Sequence, residues 1–451
     1  MTSLSMTRAL SRSLQQRHVS MIAIGGTISA GLFVSTGTAI AAAGPAILVS
    51  YLLTGGLILL VMRMLGEMAP RLPGVHAFPE FARAVLGPWA GFVAAWSYWY
   101  FWMMVVPVEA IAGANILHVW IPAPIGVLGL LLVMVVLALN LLAVHLYGEI
   151  EFWFASIKVI ALAAFIALGV AYLLSGNRSA SQILSNLTVH GGFAPHGSVA
   201  VFGGSVTAFF SLIGVEIATV AAAESTDPAN AIARNTALLV ARILVFYILS
   251  IAVILCVAPW TENRPGFSPF ALALRTMHYP WANEVLSTII LTAVIATLNS
   301  AFFVCSRVLH RLALHGDAPA SLVLLNERHV PSRSVIICAL AGVIGVTAAT
   351  VSPLKVFAFL VNTSSAVIVF IYMLVTAAYI KHRRGYGLRP VDGAAPNRTP
   401  WGGYVAFAGL LGILAAMALT PGLQREFTCG LVTLLVVAMA YWLLRAQGGV
   451  R

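Results

Sequence analysis

Residues 25–33 read Gly-Gly-Thr-Ile-Ser-Ala-Gly-Leu-Phe, a glycine-rich stretch inside the first long apolar segment of the chain. A membrane helix has no water to satisfy its backbone, so a broken turn is costly unless other groups pair the freed N–H and C=O. A Gly/Ser interruption at mid-bilayer depth therefore reads as a place where backbone groups are kept for a small solute. The sixth apolar segment carries a counterpart, Phe209-Phe210-Ser211-Leu212-Ile213-Gly214-Val215-Glu216. The sixth crossing runs opposite to the first, so the two breaks face each other in opposite directions. Matching interruptions of this kind point to an inverted repeat, spans 1–5 against spans 6–10, with two peripheral spans outside it. A simpler reading makes Gly25, Gly26 and Gly31 small residues for close helix packing. It accounts for one cluster better than for the pair.

The chain around these breaks has the composition of an all-α membrane protein. Of its 451 residues 60% are hydrophobic and 9% charged, with mean hydropathy +0.96. A bilayer crossing needs about 20 apolar residues. Twelve transmembrane helices are expected, near 20–43, 45–66, 90–115, 122–145, 152–174, 199–222, 241–260, 284–310, 334–351, 354–380, 402–420 and 427–446. They form one transmembrane transport domain over 20–446: repeat one at 20–174, repeat two at 199–380, accessory spans at 402–446. Residues 1–19 and 447–451 are short cytoplasmic termini. The first span is too long for a cleaved signal peptide, and the next follows directly after Gly44-Pro45. Two loops carry structure: 67–89, with Phe78, Phe81, Val85 and Leu86 at helical spacing, and 310–330, basic and amphipathic. Both are expected to lie as short helices on the inner face.

The net charge of +11 follows topology rather than a nucleic-acid surface. With both termini inside, 19 of the 25 Lys/Arg fall in cytoplasmic segments, five lie outside, and Lys158 lies within a span. That asymmetry is the positive-inside pattern. Cys256, Cys305, Cys338 and Cys429 sit in or at apolar segments and read as packing residues, with no disulfide implied.

Ionisable groups inside a bilayer each need a reason. Three stand out: Glu109 in span 3, Lys158 about two turns into span 5, and Glu216 just after the second break. Each is either a cavity-lining contact or an interhelical pin. A buried lysine can titrate near neutral pH, which makes Lys158 a candidate proton carrier. The half-helix that begins after Gly31 presents N–H groups and a positive dipole end, which suit a carboxylate. The half-helix that ends near Phe210 and Ser211 presents carbonyls, which suit an ammonium. Together they fit a zwitterion, with Phe209 and Phe210 placed to close over it.

Other chemistries are excluded. None of the three lysines follows a glycine, so there is no Walker A loop. There is no HExxH and no CxxC, and the histidines lack ligand spacing. No cofactor or metal is expected, nor an enzyme; ion gradients or solute exchange remain as energy sources. A receptor that binds without translocating fits poorly with such short termini.

These residues resemble the amino-acid permeases of the amino acid–polyamine–organocation superfamily, in the bacterial amino acid transporter branch. The resemblance runs from Arg17-His18-Val19 to span 12. It rests on Ala-Gly-Pro at 43–45, Arg63-Met64-Leu65-Gly66-Glu67-Met68, Gly148-Glu149-Ile150-Glu151-Phe152-Trp153-Phe154, Ala222-Ala223-Glu224-Ser225, Leu298-Asn299-Ser300, Gly316-Asp317-Ala318-Pro319 and Leu360-Val361-Asn362-Thr363-Ser364-Ser365. Tyr98-Trp99-Tyr100-Phe101-Trp102 and Val106-Pro107-Val108-Glu109-Ala110 look most like γ-aminobutyrate permeases. The resemblance implies two inverted five-helix repeats and proton-coupled import of an amino acid by alternating access. It places the carboxylate site on Ser29, Ala30 and Gly31. The amino group falls on backbone from Phe210 through Ser211 to Gly214, with Phe209 or Phe210 as a gate. It aligns Lys158 with a fifth-span lysine of proton-coupled relatives. Ser29 departs from the family's usual glycine and either narrows the carboxylate site or adds a hydrogen bond.

The expected function is a proton symporter in the bacterial cytoplasmic membrane, carrying γ-aminobutyrate or another small zwitterion. The alternatives are a proton-independent exchanger, or a symporter of a neutral or aromatic α-amino acid. The expected partners are substrate, proton and lipid, and one repeat pair forms a complete pathway per monomer.

Overall fold

In the computed structural model the described residues are 21–446, apart from 22–23, 25, 73, 76, 142–143, 177–178, 223–227, 264–267, 387–400 and 421. Among them the chain is helical, with no strand. A π-helical turn at Gly31–Ser35 leads into α1 (Thr36–Ala43). Then follow α2 (Ile47–Met68), α3 (Glu80–Leu86), α4 (Pro88–Trp120), α5 (Ile125–Asn140), α6 (Val144–Leu174), α7 (Ala180–Thr188) and α8 (Gly197–Leu212). The second half holds α9 (Ile217–Ala222), α10 (Pro228–Val257), α11 (Pro269–Thr276), α12 (Pro280–Leu314), α13 (Ser332–Ala349), α14 (Pro353–Tyr386), α15 (Gly402–Leu419) and α16 (Gln424–Ala446).

Ten helical stretches among the described residues are long and apolar enough to cross a membrane. One of them, Gly31–Arg71, is 41 residues long and is divided at Gly44, whose φ of 64° suits glycine. The segment expected as span 4 appears as α5, a shorter apolar helix of 16 residues.

Burial sorts these helices into a centre and a rim. The long α4 touches α5, α12, α13 and α14, and α2 lies between α8 and α10. In the most apolar window of α12, 72% of residues are buried; in that of α16, 11% are. A helix that is apolar all round but unburied by protein has its face for lipid. The last helix is therefore peripheral. Pro107 sits inside α4, where it removes one ladder hydrogen bond and its ring disturbs the preceding turn. Gly345 of α13 packs on its ring, and a Cβ there would stand 2.3 Å from Pro107 Cβ.

The two loops expected to be structured meet each other. Between the end of α2 and the start of α4, the first holds a 3-10 turn at Ala69–Arg71 and the short helix Glu80–Leu86; Phe78 and Phe81 are fully buried. In the second, α12 runs on to Leu314 and a 3-10 turn covers Ala320–Val323. Arg83 pairs with Asp317, and Arg311 with Glu80 at 2.6 Å. Burial works to raise the Glu80 carboxyl, but His315 and Arg311 overcome it and hold its pKa at about 2. A small half-open pocket lies beside this cluster, lined by Glu80, Arg83, Arg311 and His315.

Candidate functional site

The helix of the first apolar segment is interrupted at Ile28 and Ser29 and resumes at Ala30, which leads into the π-helical turn Gly31–Ser35. Such turns are rare and recur at functional sites. The interruption frees N–H groups, and side chains meet them. Gly31 N–H donates to Ser29 Oγ (3.0 Å), and Ala30 N–H reaches Glu109 Oε2 from α4 (3.4 Å). The other oxygen, Glu109 Oε1, has no hydrogen-bond partner. Ser29 thus uses its hydroxyl to cap its own broken turn. Gly25 lies outside the described residues.

The second interruption falls between α8 and α9. Ile213 is extended (φ −69°, ψ 153°), and Gly214 follows at φ 117°, a conformation other residues rarely adopt. Glu216 folds back over this turn. Its Oε2 accepts Gly214 N–H (3.0 Å) and the Tyr372 hydroxyl (3.2 Å), and its Oε1 faces the Tyr98 hydroxyl (3.4 Å). Its carboxylate is used up holding the break in shape. Phe209 packs edge-on against Tyr372 with centroids 5.2 Å apart. Phe210 points the other way, and its Cδ1 would lie 3.4 Å from a Cβ on Gly31. Of the two expected gate residues, Phe210 is the one at the first break.

The breaks lie backbone to backbone. A Cβ on Gly214 would stand 2.6 Å from the Gly26 carbonyl oxygen and 2.8 Å from Thr27 N; one on Gly31 would stand 2.8 Å from Ser211 Cα. Residue numbers rise along one segment as they fall along the other, so the segments cross antiparallel. Glycine here serves both readings of the sequence at once: it allows the turn, and it lets the two turns touch.

Hydroxyls bridge the contact. Ser211 Oγ donates to the Gly31 carbonyl (2.7 Å) and receives Tyr51 of α2 (3.1 Å), which also pairs with Thr36 (2.7 Å). The Tyr247 hydroxyl of α10 lies between the carbonyls of Thr27 (2.9 Å) and Ser211 (3.0 Å). Neither tyrosine was marked by any spacing or motif. The Ser211 carbonyl, expected to face an ammonium, is met here by Tyr247.

Lys158 on α6 is fully buried, and the charges that act on it are Glu151 and Glu109. Glu151, also fully buried, is a fourth ionisable group that the sequence reading quoted only within a family motif. The signal was present: residues 151 and 158 are seven apart, which puts them on one helix face. Ser29, Ala30, Gly31, Phe209, Phe210, Ser211 and Gly214 thus meet at the paired breaks. Glu109 links them to Lys158. All are buried, Ser29 and Phe210 at 5% exposure. Among the described residues no group of His, Cys, Asp and Glu is arranged to hold a metal.

A bundle of apolar helices with two abutting breaks, lined by backbone and a few buried charges, defines a helical integral membrane protein. The chain belongs to the amino acid permease family, whose model matches residues 18–447. It is a transporter of amino acids and not an enzyme. It is 40% identical to a probable GABA permease of Pseudomonas aeruginosa, over 96% of this chain and 92% of that one. It is 36% identical to the gamma-aminobutyric acid permease of Bacillus subtilis, over 97% and 94%. With the aromatic amino acid transport protein AroP of Escherichia coli K12 it shares 34% identity over 96% and 95%.

Proposed function

We propose that this protein imports γ-aminobutyrate by proton symport and alternating access, across a bacterial cytoplasmic membrane with both termini inside. The observation that carries the proposal is the antiparallel abutment of the two breaks, with Gly214 on Gly26–Thr27 and Gly31 on Ser211. This is the arrangement that an inverted repeat of spans 1–5 and 6–10 requires at its centre. Twelve spans fit the helices. A straight 41-residue helix would be about 60 Å long, twice the hydrocarbon thickness, so Gly31–Arg71 divides at Gly44 into two crossings. The α5 helix supplies the fourth.

Substrate carboxylate binds at the N–H groups of Ala30 and Gly31, and the ammonium at carbonyls near Phe210 and Ser211, with Phe210 over them. Glu109 now points at Ala30 N–H, so an arriving carboxylate displaces it towards Lys158. Binding at one helix terminus and a change in the charge balance at Lys158 then become a single event. The γ-aminobutyrate assignment rests on likeness to the permeases named above; an aromatic or other neutral amino acid is its competitor.

Radiolabelled uptake into proteoliposomes under an inward proton gradient tests this reading, with γ-aminobutyrate competed by the twenty amino acids. Collapse of uptake by an uncoupler is expected, together with loss of accumulation in Lys158→Ala. Normal accumulation by Lys158→Ala removes the coupling role, and uptake that needs preloaded vesicles makes the protein an exchanger.

A further inference from the structure

We infer that Glu151 is a proton-relay group, passing the proton from Lys158 towards the inner side of the membrane. This rests on the proton-symport reading above and adds a residue and a direction to it. Seven residues on a helix fall about 20° short of two full turns and rise about 10 Å, so Glu151 lies below Lys158 on one face of α6. Both side chains have no exposure, and each charge acts on the other. Glu151 lies on the N-terminal side of Lys158 in α6 (Val144–Leu174), while Glu109 acts on Lys158 from α4, the side of the first break. The order Glu109, Lys158, Glu151 therefore runs from the first break along α6 towards its N-terminal end.

Glu151 has no structural task that its charge explains. Asn299 and Ser300 of α12 lie beside it, but neither of its oxygens completes a hydrogen bond. Glu216, by contrast, has both oxygens engaged. A fully buried carboxylate held only by loosely placed Asn299 and Ser300 is expensive and calls for a function. Asn299 also accepts a hydrogen bond from Asn140 of α5 (2.7 Å), so the relay's inner end lies in a polar patch between α5, α6 and α12 where water can bridge. Lys158 is the charged group, among the described residues, that faces Glu151. In the step itself the Lys158 ammonium gives one proton, through water, to the Glu151 carboxylate. Lys158 is left neutral and Glu151 protonated, until Glu151 releases the proton to water on the inner side.

The test uses full-length protein in proteoliposomes with radiolabelled γ-aminobutyrate, or with phenylalanine if that is what the wild type accumulates. Proton-driven accumulation and lumenal acidification are compared with counterflow, which moves substrate without net proton transfer. Glu151→Gln is expected to lower accumulation and acidification by at least about tenfold while leaving counterflow within about twofold of wild type. Glu151→Asp is expected to restore part of both. Glu151→Asn serves the same comparison if the glutamine variant is not recovered as a monodisperse protein. Normal accumulation in the neutral variants, or counterflow that falls in step with accumulation, overturns the relay. If the wild type shows no proton-driven uptake, the symport reading fails and the relay with it. If Lys158→Ala loses accumulation while Glu151→Gln keeps it, the relay alone fails.

Discussion

At the first break the freed N–H groups of Ala30 and Gly31 are met loosely, by a carboxylate 3.4 Å away on another helix and by a hydroxyl two residues back. At the second, Gly214 N–H is held at 3.0 Å by Glu216, itself gripped by Tyr372 and Tyr98. Both breaks have the same problem of orphaned backbone in a dry environment. Under the proposed function the first break exchanges its partners for those of a solute; the second is closed by a local clamp. On that proposal the asymmetry divides the labour between a part that binds and a part that holds shape.

The division breaks most visibly at the contact the two share. Gly214→Ala places a methyl 2.6 Å from the Gly26 carbonyl oxygen, and at φ 117° an L-residue is strained even in open space. Neither backbone can yield without moving its helix. Uptake is expected to fall by more than about a hundredfold, or the protein to lose its monodisperse peak in detergent. Uptake near wild type would mean that the breaks do not touch in the working transporter.

Next comes the contrast between the two carboxylates. Glu109→Gln removes a charge that faces both the solute site and Lys158, so uptake should drop by about tenfold or more with little change in melting temperature. Glu216→Gln weakens three contacts of a clamp, and a hydrogen bond to a charged group contributes about 1.5–3 kcal/mol. It should lower the melting temperature by several degrees while the folded fraction still transports. Swapped outcomes, with Glu216→Gln stable and inactive, would assign the charge chemistry to the second break.

Tyr247→Phe has a smaller expected effect. The ring stays and the bridge between the Thr27 and Ser211 carbonyls goes, at a cost of about 1 kcal/mol in uptake efficiency or stability. That tyrosine also shows where reading the sequence stops. The glycines of both breaks, Ser211, Glu109 and Lys158 were all legible, because breakers and charges are improbable inside apolar segments and each carries a physical price. A tyrosine in such a segment carries none, so Tyr51 and Tyr247 could not be told from packing. Glu216 was legible as a charge, but its clamp geometry was not, since it depends on a side chain turning back two residues. Glu151 was hidden by position: at the start of an apolar stretch a carboxylate is ordinary, and tertiary packing is what buries it. Phe209 and Phe210 were an undivided pair until the helix phase turned one to Tyr372 and the other to Gly31.

The finest test concerns Ser29, and its sign matters more than its size. Two readings of this side chain were open: it narrows the carboxylate site, or it donates a hydrogen bond to the substrate. In the structure its Oγ accepts Gly31 N–H at 3.0 Å, which makes it a competitor for the donor a substrate carboxylate needs. Ser29→Gly removes the competitor and leaves the N–H free. Part of the gain is offset by the greater freedom of glycine in the open turn. The KM for uptake should therefore fall modestly, by about two- to fivefold, with the maximal rate little changed. Ser29→Ala, which also lacks the hydroxyl but keeps Cβ, should follow it in direction. A rise in KM in both variants would show that the hydroxyl turns to the substrate on binding. The first break would then be built to contact its solute through a side chain as well as through backbone, and the contrast with the clamped second break would be sharper still.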